Sequence, residues 1–195
     1  ESQTGGLYPP HYLLYRLYDV NTAYNINQLL HYVATFVFAW LFVREIGIKS
    51  GGAFLAALVY TYGWFPSRLC LEWAIIGGCY LPLVLWLFER FLKTSQWRFL
   101  IYGSIAIALQ LFAGHYNLAF ITQLTLVAYV PARLWFSKEN LHEQIETQKK
   151  VALALAFAAI AVGFTLAAVK LLATWELKRI SQRENITIEG EFDPA

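Results

Sequence analysis

Leu111-Phe112-Ala113-Gly114-His115-Tyr116-Asn117-Leu118 is the stretch whose reading decides the fold. Apolar sequence runs into it from Phe99 and out of it to Trp135, with no lysine or arginine between Arg98 and Arg133. Two apolar segments broken only by Gly-His-Tyr-Asn predict an antiparallel helical hairpin, because glycine permits the tight reversal that so short a break demands. A histidine and a carboxamide at such a turn have two readings. They cap helix ends at a membrane surface, or they belong to a reaction site on that face.

Composition extends this hairpin into an all-α, polytopic membrane bundle. Hydrophobic residues make up 58% of the 195 and charged residues 14%, with a mean hydropathy of +0.45. Soluble domains carry roughly 45–50% apolar and about 25% charged residues. A net charge of +2 is too small to point to nucleic acid as a partner. Cys70 and Cys79 form neither a disulfide framework nor a metal-ligand pattern and read as free thiols. The chain holds no methionine and opens at Glu1 without a signal-like stretch, so a fragment of a longer polytopic protein is expected.

Residues 1–25 are expected to form an extracytoplasmic interfacial segment. Pro9 and Pro10 argue against a helix through Gly5–Pro10. From His11 onward, Tyr12, Tyr15, Tyr18 and Tyr24 recur among leucines, which suits a helix lying in the headgroup layer. A transmembrane bundle then occupies 26–173, with about six spans at 26–43, 52–66, 73–88, 99–113, 116–135 and 151–173. Residues 174–195 begin an extracytoplasmic segment.

The polar residues inside these spans are the informative ones. Tyr24, Asn27, His31 and Thr35 share one face of the first span. Such a stripe either bonds neighbouring helices or lines a wet cavity, and both readings stay open. The second span is shorter than the roughly 20 residues a straight crossing needs. Pro82 is expected to kink the third. Ser137–Lys150 reads as a polar loop able to form a short surface helix, and Lys170 as a snorkelling side chain.

Basic residues set the expected topology. With six spans, the short connections on one side hold nine lysines and arginines, against one on the other, or two if the amino-terminal segment is included. The basic side is cytoplasmic under the positive-inside rule. That assignment gathers Tyr8, Asn27, His31, Glu72, Trp73, His115, Asn117, Trp175, Glu176 and Arg183 at the extracytoplasmic face. A polar, aromatic-lined cavity opening outward is the expectation. No self-contained catalytic motif accompanies it. His11, His31, His115 and His142 lack metal-ligand spacing.

The order Tyr8-Pro9-Pro10, then Asn27 and His31, then Gly114-His115-x-Asn117, then Trp175-Glu176-Leu177 with Ser181-x-Arg183 resembles the YfhO family. These are bacterial polytopic membrane proteins grouped with the GT-C glycosyltransferases. Their hairpin pattern is similar to Gly-His-Pro-Gln, whereas this chain has Tyr116 and Asn117. The resemblance implies transfer of a sugar from a polyisoprenyl-phosphate donor to an acceptor outside the cytoplasmic membrane. It also implies an acidic catalytic residue, and any divalent metal, in an outer loop upstream of Glu1. Asp19 matches no catalytic motif, so the general base expected for an acceptor hydroxyl is not assigned within the chain. The resemblance makes His115, Asn117, Asn27, His31, Tyr8, Trp73, Glu72, Trp175, Glu176 and Arg183 the substrate-binding candidates, with Arg183 suited to a lipid phosphate.

Two other classes compete. A non-catalytic scaffold subunit of a larger membrane complex accounts for the 17% aromatic content. In a pigment- or haem-binding version of it, His31 and His115 are axial ligands. A transporter ranks third, because its polar groups belong near mid-membrane and these cluster at the outer edge.

Overall fold

A computed structural model describes residues 5–64, 72–136 and 146–180, with side chains throughout except at 64, 72–74, 146–147 and 178–180. Within those residues the chain is built of helices alone: α1 (Pro9–Leu17), α2 (Val20–Glu45), α3 (Ser50–Trp64), α4 (Glu72–Gly78), α5 (Tyr80–Thr94), α6 (Arg98–Phe112), α7 (Tyr116–Phe136), α8 (Glu146–Leu166) and α9 (Ala168–Ile180). Among the described residues, four stretches are long and apolar enough to cross a membrane: Val20–Glu45, Ile75–Thr94, Tyr116–Phe136 and Gln148–Leu166. The chain is an all-helical bundle of membrane character. α3 and α6 have 15 residues each, about 22 Å of helix against a hydrocarbon core of about 30 Å.

Several boundaries differ from expectation for local reasons. α1 starts on Pro9 itself, because a proline in the first helical turn gives up no intrahelical hydrogen bond. α2 begins at Val20 rather than 26. The Asp19 carboxylate caps it, accepting from the backbone N–H of Asn21 (3.1 Å) and Thr22 (3.2 Å). Hydrogen bonding to Thr22 first, and to Asn21, holds that carboxyl below its ordinary range. The break in the third expected span falls at Cys79, between α4 and α5. Pro82 occupies the first turn of α5, where it interrupts no ladder. The sixth expected span divides at Ala167, so Lys170 belongs to a separate helix. α8 starts at Glu146, within the stretch read as a loop, and residues 137–145 lie outside the described residues.

The centre of the bundle is α5. In the most apolar 18 residues of Ile75–Thr94, 78% are buried, against 22% in the corresponding stretches of α2 and α8. α5 packs on α2, α6 and α7; α6 packs in turn on α8, and α3 lies against α2. Phe88 fills the heart of α5, its ring against Gly103 of α6, where an added Cβ would lie 2.8 Å from Cε2. The α6–α8 crossing is tighter still. The Ser104 hydroxyl donates to the Ala159 carbonyl at 2.7 Å. A Cβ on Gly163 would meet Ile107 at 2.8 Å and the Ser104 carbonyl at 3.0 Å. Small residues let backbones approach this closely in lipid, where the hydrophobic effect gives helices no reason to associate.

Both ends of the bundle hold buried polar clusters. At one end stand the amino-terminal segment, the α6–α7 hairpin and the start of α9. At the other, the carboxyl-terminal ends of α2, α5 and α7 converge on charged side chains.

Candidate functional site at the polar end

The amino-terminal segment reaches the bundle through Tyr8, which is 1% exposed. Its hydroxyl lies 2.8 Å from His31 Nε2 and 2.6 Å from the Tyr80 hydroxyl. His31 Nδ1 lies 2.7 Å from the Asn27 carbonyl oxygen, which accepts only. Nδ1 therefore carries the proton, and Nε2 of the neutral ring accepts from Tyr8. The Tyr8 oxygen then accepts from Tyr80. A directed chain results, Tyr80 to Tyr8 to His31 to the Asn27 carbonyl. Burial pushes the Tyr8 phenol well above its ordinary value of 10.

A second imidazole extends the cluster. His11 donates from Nδ1 to the Gly5 carbonyl at 3.1 Å, and its Nε2 lies 3.4 Å from Asn27 Nδ2. Thr35 donates to the His31 carbonyl at 2.6 Å. Of the face predicted from spacing, Asn27, His31 and Thr35 pack inward and are buried, whereas Tyr24, one turn earlier, is exposed. The exposed side of the same helix carries Leu29, Leu30 and Val33.

The hairpin lies beside this cluster. A Cβ on Gly5 would stand 2.8 Å from the His11 ring and 3.4 Å from the Ala113 carbonyl. Gly114 takes φ +99°, a left-handed conformation that a side chain would strain, and this turns the chain from α6 into α7. His115 caps α7: the Leu118 N–H donates to its Nδ1 at 3.3 Å, and its carbonyl accepts from Ala119 at 3.2 Å. The ring is buried, and desolvation holds it below the ordinary imidazole value of 6.5. Asn117 is exposed.

α9 closes over the hairpin. Lys170 Nζ donates to the Phe112 carbonyl at 2.8 Å and lies 5.9 Å from the centroid of the Tyr116 ring. The Tyr116 hydroxyl reaches Thr174 Oγ1 at 2.7 Å. Lys170 is 6% exposed, so it is a buried cap on the carbonyl end of α6 rather than a snorkelling surface cation. Trp175 and Glu176 stand outside, exposed on α9. Glu72 and Trp73 belong to the backbone of α4, their side chains outside the described set, and Arg183 falls outside the described residues.

Sequence reasoning missed Tyr80, Gln110 and Thr122. Gln110, 1% exposed, donates to the Gly77 carbonyl (2.9 Å) and to Thr122 Oγ1 (2.8 Å), tying α4 to α6 and α7. Its Oε1 has no hydrogen-bond partner. A lone glutamine in the apolar run of α6 was the signal, since a carboxamide in lipid needs protein around it.

The opposite end was also missed. Glu89, fully buried, accepts from the Tyr129 hydroxyl at 2.6 Å and from Arg133 through Nε at 2.9 Å and through Nη2, with Lys93 Nζ at 3.7 Å. Arg90 pairs with Glu45 at 3.3 Å, and Lys93 donates to the Glu45 carbonyl. Ending the third span at 88 put Glu89 in a turn, but α5 continues to Thr94 and carries it into the interface with α7.

Chemically, the polar end holds two oriented imidazoles (His11, His31) and a capping one (His115). The described residues contain no group of three or more His, Cys, Asp and Glu side chains able to hold a metal, so a metal does not fit them. The Tyr80–Tyr8–His31 chain ends on a carbonyl, which cannot take up a proton, so it orients rather than relays. No family model, curated protein or solved structure matches the chain.

Proposed function

We propose that this chain is part of a GT-C-like membrane glycosyltransferase, similar to the YfhO family, with six spans and an amino-terminal interfacial helix. In this reading α3 and α6 complete the crossings through local thinning of the bilayer, and α1 lies along the headgroups. The polar end faces outward and the Glu89 end faces the cytoplasm. A polyisoprenyl-phosphate sugar docks at the outer end, beside the hairpin turn where Asn117 is exposed and His115 caps α7 from within. The buried Tyr8–His31 pair holds the amino-terminal segment against that turn, and bond-making belongs to an acidic residue outside this chain.

One observation carries the reading. Tyr8 of the amino-terminal segment meets Asn27 and His31 of α2 in one buried polar cluster at the end that also holds the His115 turn. The test is transfer of a labelled hexose from a polyisoprenyl-phosphate carrier by membranes containing the intact protein. His115→Ala is expected to lower transfer at least tenfold with protein abundance unchanged. Normal transfer by that variant, or loss of the protein from the membrane, would remove His115 from the site.

A non-catalytic scaffold is the second reading, favoured by the fact that the Tyr80–Tyr8–His31 chain ends on the Asn27 backbone carbonyl. Both nitrogens of His31 face protein partners, so axial ligation of a tetrapyrrole there would require breaking the Tyr8 contact. A scaffold predicts that Tyr8→Phe lowers stability and leaves no transfer activity to lose. Sidedness has its own test. Single cysteines at Asn117 and Asn140, in a background without Cys70 and Cys79, should label from opposite faces, with 117 reached by an impermeant reagent in intact cells.

A further inference from the structure

Two arginines at the Glu89 end of the bundle converge on one aromatic ring. Arg90 stands near the carboxyl-terminal end of α5, and Arg98 opens α6. Their guanidinium carbons lie 5.3 and 5.1 Å from the ring centroid of Phe99, a buried core residue. Ser95 permits this by taking φ 55°, a left-handed conformation that reverses the chain between the two helices. Each guanidinium is attracted by the ring face, but a neutral ring leaves both charges uncompensated. Two like charges held on one ring repel, and an anion shared by both relieves that repulsion.

The carboxylates nearby do not supply such an anion. Glu45 reaches Arg90 through a single contact, Nη1 to Oε2 at 3.3 Å, longer than the roughly 2.7–2.9 Å of a close charge-assisted bond. The Nε of the same arginine is buried and has no hydrogen-bond partner. Glu89 is committed to Tyr129, Arg133 and Lys93. No described carboxylate pairs with Arg98, which is exposed. Arg90 keeps 38% of its side chain accessible. This corner therefore holds more fixed positive charge than the described residues neutralise, and both guanidinium groups can be reached from outside.

The donors select the anion. A planar guanidinium fork matches phosphate oxygens two at a time, and a phosphate has oxygens enough for two forks. Trp97, 69% exposed and adjacent to Arg98, is an amphipathic ring of the kind that sits at headgroup level. A lipid headgroup and a free phosphate present the same oxygens there.

We propose that the corner between α5 and α6 binds one phosphate group, shared by Arg90 and Arg98 beside the Phe99 ring. The inference rests on the geometry of this corner and not on glycosyl transfer. The intact protein is purified in detergent free of phosphate and phospholipid. Its thermal midpoint is followed as inorganic phosphate, phosphatidylglycerol or the phosphate-free lipid diacylglycerol is added. A saturable rise with phosphatidylglycerol alone assigns the site to a lipid headgroup, and a saturable rise with inorganic phosphate assigns it to free phosphate. Arg98→Gln should weaken that binding about fivefold, and Arg98→Lys, which keeps the charge without the fork, should weaken it less. Arg16→Gln, an exposed cation at the opposite end, should leave it unchanged. No rise with either phosphate probe, or a rise that diacylglycerol reproduces, would overturn the proposal. So would binding that Arg98→Gln leaves intact or that Arg16→Gln weakens equally.

Discussion

Tyr8 and His31 meet across 23 residues of chain, hydroxyl to Nε2 at 2.8 Å, and this contact joins the amino-terminal segment to the first long helix. Its direction is set from behind. The Asn27 carbonyl accepts from Nδ1–H, so with the ring neutral Tyr8 donates to Nε2 and Tyr80 donates to Tyr8. One phenol therefore serves three segments: the amino-terminal strap, α2 and α5.

Tyr8→Phe keeps the ring and removes the hydroxyl, leaving His31 Nε2 and the Tyr80 hydroxyl each without this partner. An unsatisfied buried group costs about 1–3 kcal/mol. The unfolding midpoint in detergent should fall accordingly, and limited proteolysis should cut first near residues 5–17. An unchanged midpoint and digestion pattern would mean that the contact contributes nothing to holding the strap.

At the other end, Glu89→Gln should be among the most damaging single changes in the bundle. It leaves Arg133 and Lys93 without their carboxylate partner, and breaking a buried pair costs about 3–5 kcal/mol. Arg133 is 18% exposed, so water reaches it and the lower end of that range is expected. Pairing Glu89→Leu with Arg133→Leu should restore most of the loss, because hydrophobic replacement removes both desolvation penalties. A double-mutant cycle in detergent measures the coupling, and additive losses would deny it.

Gly163→Ala and Gly51→Ala should separate cleanly. The first drives a methyl into Ile107 and the Ser104 carbonyl, whereas nothing lies within 4 Å of a Cβ at Gly51. Overpacking costs typically about 1–3 kcal/mol. Alanine for an unhindered helical glycine adds up to about 1 kcal/mol of stability. Thermal midpoints of the two variants should move in opposite directions, and a shared direction would reject the tight α6–α8 crossing.

His115 gives a pH dependence. Burial lowers its folded-state value below 6.5, so the neutral ring that accepts from Leu118 N–H is the form the fold favours. The unfolded chain binds the proton more readily. The cap's contribution is therefore present above about pH 6.5 and is lost as the pH falls below it. His115→Asn retains an N-cap acceptor but does not titrate. Its unfolding midpoint should show a shallower loss between pH 7 and 5 than the native chain. Parallel curves would place the acid sensitivity elsewhere.

The sequence alone determined the helical class, the hairpin at Gly114 and the inward face of Asn27, His31 and Thr35. Each follows from local physics: a hydropathy too high for a soluble domain, a glycine needed for φ +99°, and a periodicity that puts every third or fourth residue on one side. It also located His115 and Lys170, though not what they touch. Only the tertiary structure decided that α5, not the hairpin, is the centre, and that Glu89 lies inside the bundle. It likewise decided that Tyr80 completes the Tyr8–His31 cluster and that Lys170 caps α6 across 58 residues. The reason is distance along the chain. Periodicity reports which face of a helix is buried but not which helix covers it. A charged residue one turn past an apolar run looks the same in sequence whether it ends in water or against an arginine from another helix.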